Sequence, residues 1–208
     1  MSKIKFVYFD VGGVALLDFT NTNKWAEIKK SLGVNKNNEE LFDSVWQKHR
    51  KRICIDCDID LLTPEFEEKT GIEFPKEYSM LEDFVSKFEQ NRSIWPVMEF
   101  AKKKYKVGLL TNTYPRMLDL IRSNKIFPDI DWDVIVDSSL VGFQKPEDGI
   151  YEIAEKRSGV KPSEILFIDN LSKNIEVAKN RGWQVFWYDD QDPEKSSEKL
   201  YQSLIAIE

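Results

Sequence analysis

The sequence predicts an α/β protein: an open, parallel, Rossmann-like sheet with helices on both faces, plus an inserted α-helical cap. Two observations predict this class. From about residue 106, short apolar runs alternate with segments of helical apolar spacing, a pattern typical of parallel strands joined by crossover helices. Residues 15–95 break that alternation and show helical spacing alone, after a single strand.

The first strand is expected at residues 4–9, an apolar run that ends at Asp10 and leads into Gly12 and Gly13. Such a run predicts a buried strand whose end releases the chain into a tight glycine turn. The later elements follow the same logic. Strands are expected at 107–110, 134–136, 165–168 and 185–188, and helices from Pro115 onward, at 148–158 and at 172–181.

The helical insertion divides the chain into an expected core of residues 1–14 and 96–208 and an expected cap of residues 15–95. Ser79 and Glu82 have the spacing of a capping box and predict the start of one cap helix. Large aromatic residues in a helical unit belong to its apolar interior more often than to a ligand site. We therefore expect Trp25, Trp46 and Trp95 to pack inside the cap.

Composition and charge exclude several classes of protein. The 208 residues carry a formal net charge of −6, which argues against general nucleic-acid binding. No run approaches the roughly 18 apolar residues that a membrane helix needs. The first ten residues, MSKIKFVYFD, lack the layout of a signal peptide. We expect a cytoplasmic protein without nucleic-acid or membrane partners, and the sequence leaves the oligomeric state open.

Cysteine and histidine usage limits the available chemistry. The two cysteines, Cys54 and Cys57, cannot build a disulfide framework, and His49 is the only histidine. A structural zinc site takes about four ligands. We expect the cysteine pair to be structural or incidental, with a redox or metal-binding role as the alternatives. No nucleophile-elbow sequence supports a triad built on His49.

Two charged segments of the cap have ordinary explanations. Residues 48–52 are all basic or histidine and are expected to form a solvated face. The alternative is a cationic surface that attracts anionic substrates. Asp56, Asp58 and Asp60 alternate as in a calcium loop, but the glycine and the terminal glutamate of that pattern are missing, which argues against calcium.

Polar residues follow the predicted strands where each strand ends. They are Asp10, then Thr111 and Asn112, then Asp137, then Asp169 and Asn170. Lys145 lies in the loop after the third strand. Because ligands of open parallel sheets bind beyond the carboxyl ends of the strands, we expect these side chains to surround one site.

This set of side chains suits phosphoryl transfer. A carboxylate such as Asp10 can attack phosphorus and split one hard step into two. Lys145 supplies a cation, Thr111 a hydroxyl, and the Gly12–Gly13 turn unobstructed N–H donors for phosphate. Two acids near a dianionic phosphate would repel it, so a hard cation such as Mg²⁺ is expected.

Four segments, FVYFDVGGV, GLLTNT, QKP and ILFIDNLSKNIEVAKNRGW, resemble in order and sheet position the four motifs of the haloacid dehalogenase-like hydrolase superfamily. The resemblance covers nearly the whole chain, and the helical insertion resembles the family's cap. It implies that Asp10 is the nucleophile, that Thr111, beside Asn112, binds phosphate, and that Lys145 steadies both. It also implies a Mg²⁺ ion held by Asp10, the carbonyl of Gly12 and the pair Asp169–Asn170.

Two positions depart from the family pattern. Gly12 stands where the family has its general acid/base, although its carbonyl remains available to a metal. Asn170 stands where a second acid is usual. Because Asn174 takes the place of a later acidic position, the count puts Asn170 at the metal-ligand position. Its amide oxygen can coordinate Mg²⁺ but brings no charge, and Asp169 is the alternative ligand.

The resulting hypothesis is a hydrolase, a Mg²⁺-dependent phosphatase that cleaves a small phosphorylated metabolite through an aspartyl-phosphate. One alternative is a catalytically weakened protein that binds phospho-ligands. The other is a 2-haloacid dehalogenase. That branch of the family resembles a site with an aromatic residue at position 12 and an early arginine, whereas this chain has Gly12 and no arginine before Arg50.

Overall fold

The five expected strands form one parallel sheet, in a computed structural model that describes residues 3–19 and 22–206. The elements in chain order are β1 (Phe6–Phe9), β2 (Leu16–Leu17), α1 (Lys24–Ser31), α2 (Glu39–His49), α3 (Thr63–Thr70), α4 (Met80–Ser86), β3 (Glu89–Gln90), α5 (Trp95–Lys104), β4 (Lys106–Thr111), α6 (Met117–Ser123), β5 (Val134–Asp137), α7 (Ser138–Val141), α8 (Asp148–Ser158), β6 (Ile165–Asp169), α9 (Ser172–Asn180), β7 (Gln184–Trp187) and α10 (Pro193–Ala206).

The strand order across the sheet is β5-β4-β1-β6-β7, with β1 at the centre. Phe9 lies opposite Leu109 on β4 and Ile168 on β6. The next residue, Asp10, therefore lies level with Asp169, and its N–H donates to the Ile168 carbonyl at 2.9 Å. The register thus brings the ends of β1 and β6 to the same edge of the sheet.

Alternating residues of the strands feed two apolar clusters, one on each face of the sheet. Phe6 and Tyr8 of β1 join the cluster that contains buried residues of α8 and α9. Val7 and Phe9 join the larger cluster, which contains residues of α5, α6, α10 and the inserted helices. Strands buried on both faces explain why β1 is apolar throughout. The predicted fold class, with helices on both faces, is confirmed.

A two-stranded antiparallel ribbon joins the inserted helices to the sheet. β2 pairs with β3, with Leu16 opposite Gln90 and Leu17 opposite Glu89. Helices α1 to α4 lie between these strands in the chain. The division into a core of 1–14 and 96–208 and a cap of 15–95 stays a prediction, and the ribbon lies near both of its boundaries.

Some boundaries differ from those expected. The helix expected from Pro115 begins at Met117, because Arg116 adopts a left-handed φ of 69° that no helix can include. The strand expected at 185–188 is shifted by one residue, to Gln184–Trp187. Ser79 caps α4 as expected, accepting from the Glu82 N–H. The short helix α7 and the C-terminal helix α10 were not predicted.

The aromatic residues of the insertion divide between two places. The rings of Trp25 and Trp46 pack at a tilted angle with centroids 4.9 Å apart, and both contact Phe84, inside the helical insertion as expected. Trp95 is instead the first residue of α5, which contacts β4 and α10. Its expected place inside the cap is therefore corrected to the helix layer of the sheet.

The charged segments of the insertion are held by ion pairs. Lys48 and His49 both contact Glu65 at 2.7 Å, which fits a solvated basic face. Arg116 donates to Asp58 and to Asp60 at 2.7 Å, joining the segment after β4 to the insertion. None of the helices within the described ranges has the length and apolar character that crossing a bilayer requires.

Candidate active site

The Lys145 ammonium lies between two carboxylates at the carboxyl edge of the sheet. Its Nζ is 2.8 Å from Asp10 Oδ1 and 2.7 Å from Asp169 Oδ2. The Lys145 and Asp169 side chains are fully buried, and Asp10 is nearly so. Since β1 and β6 are neighbours in register, the two aspartates come from adjacent strand ends. The structure therefore brings together three residues far apart in the chain, as the sequence predicted.

Each carboxylate has further donors that fix its orientation. Asp169 Oδ1 accepts from the Leu171 N–H at 2.8 Å, and the Asn174 amide donates to both Asp169 oxygens. Asp10 Oδ1 accepts from the Val11 N–H at 2.7 Å. Burial of an anion is tolerated only with such partners. Asp169 is the more completely bonded of the two.

One ammonium group contacts two carboxyl groups, so Lys145 alone cannot neutralise both Asp10 and Asp169 when they are ionised. Burial raises the pKa of the Asp10 carboxyl well above its usual range, and the charge of Asp169 raises it further, against the opposing effect of Lys145. Burial acts to lower the pKa of Lys145, but the two aspartates outweigh it, so that this pKa is raised as well. Lys145 is therefore a permanent cation, and the site carries a net negative charge only when both carboxylates are ionised.

Asn112 holds the backbone of the lysine. Its Nδ2 donates to the Lys145 carbonyl at 2.8 Å, and its Oδ1 accepts from the Lys145 N–H at 2.7 Å. This geometry gives Asn112 a positioning role, while its expected contact to substrate stays a prediction. Thr111, the last residue of β4, is buried beside Asp137 in the sheet register.

The glycine turn after β1 packs against the end of β6. Gly13 has a φ of +74°, and a Cβ there would lie 2.1 Å from Asn170 Nδ2, so both backbone conformation and space require glycine. The Asn170 amide also donates to Asp190 Oδ2 at 2.8 Å. Asn170 therefore packs against the glycine turn, whereas Asp169 forms an ion pair with Lys145.

The oxygen donors around this turn fit a magnesium ion. Mg²⁺ takes oxygen ligands and is commonly bound through only one or two carboxylates, keeping several waters. Within residues 3–19 and 22–206, no group of three acidic, histidine or cysteine side chains is arranged as a metal cluster. The candidates are the expected Asp10, Gly12 carbonyl, Asp169 and Asn170. Because two buried carboxylates share one ammonium, an added cation would relieve their repulsion.

Two residues of the site were not predicted as such. Asn174 holds Asp169, and Asp190 holds Asn170. Asp190 follows β7 as the other polar residues follow their strands, so the same rule applied to the fifth strand would have found it. Asp137 has a different role from the one its strand-end position suggested. Its carboxylate caps α7 by accepting from the Ser139 N–H and hydroxyl at 2.8 Å.

A cavity of about 380 Å³ lies between the strand ends and the inserted helices. Gly12 and Asn112 form its wall on the side of the site. Cys54, which with Cys57 is a free thiol, also lines it. Burial raises the pKa of Cys54 to about 12, with Asp137 adding to the effect, so its thiol stays protonated and weakly reactive at neutral pH.

Comparison with known proteins gives this site a family context. The family model described as a haloacid dehalogenase-like hydrolase matches residues 4–182. The D-ribitol-5-phosphate phosphatase of Bacteroides thetaiotaomicron is 36% identical over 90 residues, which are 41% of this chain and 44% of that protein. The chain spans 10%, 37% and 44% of the length of three curated relatives that it matches.

Solved structures share the fold at low sequence identity. A HAD family enzyme of Bacteroides thetaiotaomicron, in complex with magnesium and inorganic phosphate, has a TM-score of 0.71 and 20% identity, covering 90% of this chain and 95% of its own. An L-2-haloacid dehalogenase has a TM-score of 0.70 and 16% identity, covering 98% of this chain and 99% of its own. These similarities cover at least 90% of this chain and show the fold.

The raised pKa of Asp10 predicts how metal-free protein responds to pH. The folded-state pKa of Asp10 is about 8 against 3.8 for an ordinary aspartate side chain, so the folded state retains a proton that the unfolded state releases. Its stabilising effect is complete below pH 4 and is lost as the pH rises through 8. Asp10→Asn has no such proton, so only the wild type should lose this stability as the pH rises. In EDTA, the melting temperature of Asp10→Asn relative to the wild type should therefore rise by several degrees from pH 4 to pH 8. The conversion is about 2–4 °C per kcal/mol.

The matched control is Asp119→Asn, which removes an exposed carboxylate of α6. Its melting temperature should stay parallel to that of the wild type across the range. A constant difference between Asp10→Asn and the wild type from pH 4 to pH 8 would contradict the prediction.

Proposed function

The chain belongs to the haloacid dehalogenase-like hydrolase family, and on that premise we propose that it is a Mg²⁺-dependent phosphomonoester hydrolase acting on a small phosphorylated compound. The observation that carries the proposal is the buried Lys145 ammonium within 2.8 Å of both Asp10 and Asp169 at the end of the central strands. A carboxylate fixed beside a permanent cation suits attack on an anionic phosphoryl group.

Each residue of the site has its own role in the proposed reaction. An Asp10 carboxylate oxygen attacks phosphorus, the bond from phosphorus to the ester oxygen breaks, and the phosphoryl group stays on Asp10 until water releases it as phosphate. Lys145 neutralises charge on the phosphoryl oxygens and keeps Asp10 oriented. Thr111 and the N–H groups of the Gly12–Gly13 turn are the proposed phosphate donors.

The metal ligands we propose are Asp10, the Gly12 carbonyl and the Asn170 amide oxygen. Asp169 is the less suitable ligand, because Lys145, the Leu171 N–H and the Asn174 amide already occupy both of its oxygens. A bound Mg²⁺ ion would neutralise phosphate charge and keep Asp10 ionised. Of the two candidates, Asp169 and Asn170, we therefore propose the neutral Asn170.

Asp10→Asn should abolish phosphatase activity. The substitution keeps the shape of the side chain but removes the nucleophile, and we expect kcat on p-nitrophenyl phosphate with Mg²⁺ to fall by at least about 10³-fold. Asp119→Asn should retain wild-type activity. Wild-type protein quenched in acid during turnover should carry one phosphoryl group on the peptide that contains Asp10, detectable by mass spectrometry.

Equal rates for Asp10→Asn and wild type would end the proposal of an Asp10 nucleophile. If a panel of phosphate esters stabilises the wild-type protein against heat without any turnover, the binding-protein alternative is favoured instead. Chloride release from a 2-haloacid would favour the dehalogenase alternative.

Asn170→Asp should strengthen metal binding and weaken the metal-free protein. The new carboxylate adds a charged ligand, but without metal it faces Asp190, whose Oδ2 now accepts from the Asn170 amide. We expect a lower melting temperature in EDTA and a larger gain on adding Mg²⁺, corresponding to a roughly tenfold or greater fall in Kd. Asn37→Asp adds the same charge at an exposed position and should change neither value. Equal Mg²⁺ gains in wild type and Asn170→Asp would contradict the assignment.

A further inference from the structure

The cavity beside the site has a distinct chemical character. Its wall on the side of the inserted helices is aromatic, formed by Trp25, Trp46, Phe84 and Phe88, and α6 contributes Met117 and Ile121. Gly12 and Asn112 connect it to the ends of β1 and β4. A phosphoryl group at Asp10 would therefore direct its organic part towards apolar side chains.

The volume and lining of the cavity indicate a class of substrate. About 380 Å³ lies within the range of small-molecule sites. An apolar group that fills such a site leaves water and gains contact with the rings. A polyol would lose its hydrogen bonds to water, and the aromatic wall cannot replace them. The polar side chains of the mainly apolar lining are Asp18, Asn112, Thr113 and Tyr114.

We propose that this site takes phosphate monoesters whose organic part is aromatic or alkyl rather than a polyol or sugar. The inference rests on the proposed phosphatase function, since the cavity is assigned to the organic part of the ester bound at Asp10. Its occupant is fixed by continuity with the site through Gly12 and Asn112, which belong to both.

The test compares two primary alkyl esters, so that the leaving groups are matched. We expect kcat/KM for 2-phenylethyl phosphate to exceed that for ribitol 5-phosphate by about 10–100-fold. Phe88→Ala removes part of the wall and should reduce this ratio by about tenfold. Leu61→Ala removes an apolar side chain that is 77% exposed on the same insertion, and it should leave the ratio unchanged.

A binding measurement makes the result independent of turnover. 2-Phenylethylphosphonate should bind to Asp10→Asn with Mg²⁺ at least about tenfold more tightly than inorganic phosphate, by calorimetry. Equal binding, or preference for the polyol ester, overturns the substrate class. The proposed function survives that result as long as polyol ester hydrolysis still depends on Asp10, and it fails if no phosphate ester is hydrolysed.

A second, independent observation concerns the space beside Gly12. A Cβ at this position would overlap Asp18 Oδ2, while Gly12 itself lacks a left-handed φ. The Asp18 side chain, rather than the backbone conformation, therefore limits the space for a side chain at position 12. Asp18 directly follows β2 and lines the cavity, so its carboxyl group occupies the volume that a side chain at position 12 would fill.

An alkyl ester needs a proton on its leaving oxygen, and few groups can supply it. Of the described residues that line the cavity, Asp18 alone carries a carboxyl group. Burial raises the pKa of Cys54 to about 12 and also raises the pKa of Tyr114, so neither exchanges protons readily at neutral pH.

The geometry points to Asp18 as the catalytic acid and base of the reaction. As Asp10 attacks phosphorus and the phosphorus–ester oxygen bond breaks, the Asp18 carboxyl gives its proton to the leaving oxygen and the alcohol departs. The Asp18 carboxylate then takes a proton from water, whose oxygen attacks phosphorus. The bond from phosphorus to Asp10 breaks, which releases phosphate and restores both aspartates.

The test uses the dependence on the leaving group. Asp18→Asn should lower kcat for 2-phenylethyl phosphate by about 10²–10⁴-fold, and lower it far less for p-nitrophenyl phosphate, whose leaving group needs no proton. Asp119→Asn should affect neither ester. The double variant Gly12→Asp with Asp18→Gly returns a carboxylate to the same volume and should recover at least about tenfold of the lost alkyl ester rate.

Equal losses for both esters, or no loss for either, would overturn the role of Asp18. The proposed substrate class and the proposed role of Asp18 can each be wrong while the phosphatase function is right. Hydrolysis of p-nitrophenyl phosphate that depends on Asp10 sustains the phosphatase assignment whatever Asp18→Asn does. Binding of 2-phenylethylphosphonate by Asp18→Asn shows that the variant is folded with an intact cavity.

Discussion

One buried ammonium group between two buried carboxylates organises this molecule's site. Neither Asp10 nor Asp169 could be buried at adjacent strand ends without Lys145, because like charges in a medium of low dielectric repel strongly. The neighbouring contacts serve that arrangement. Asn112 holds the lysine backbone and Asn174 holds Asp169. With both carboxylates ionised the net charge is negative, and this gives a cation that displaces the Asp10 proton a physical reason to bind.

The inserted helices complete the site from the other side. The ribbon of β2 and β3 delivers Asp18 to the space beside Gly12, and Arg116 ties the segment after β4 to Asp58 and Asp60. The insertion therefore does more than cover the sheet edge. It supplies the aromatic wall of the cavity and, in our proposal, the proton that the alkyl leaving group needs.

Sequence reasoning recovered the sheet well because strands buried on both faces are apolar, as β1 and the first four residues of β6 are. It was less accurate where one residue's conformation decides a boundary. The left-handed Arg116 delays α6 by two residues from the expected start at Pro115, and nothing in the local apolar pattern signals it. The helix α10 was not predicted, although Leu200 and Leu204 are fully buried in it.

The sequence by itself determined the fold class and the set of polar residues at the strand ends, because both follow from local periodicity and from the rule that parallel strands end at one edge. Only the tertiary structure decided which oxygens are already occupied. In the folded protein Asp169 accepts a hydrogen bond from Lys145, and Asn170 packs against Gly13. It also brought Asp18 beside Gly12, since that contact depends on how the chain turns between β1 and β2, and no spacing in the sequence encodes a turn's shape.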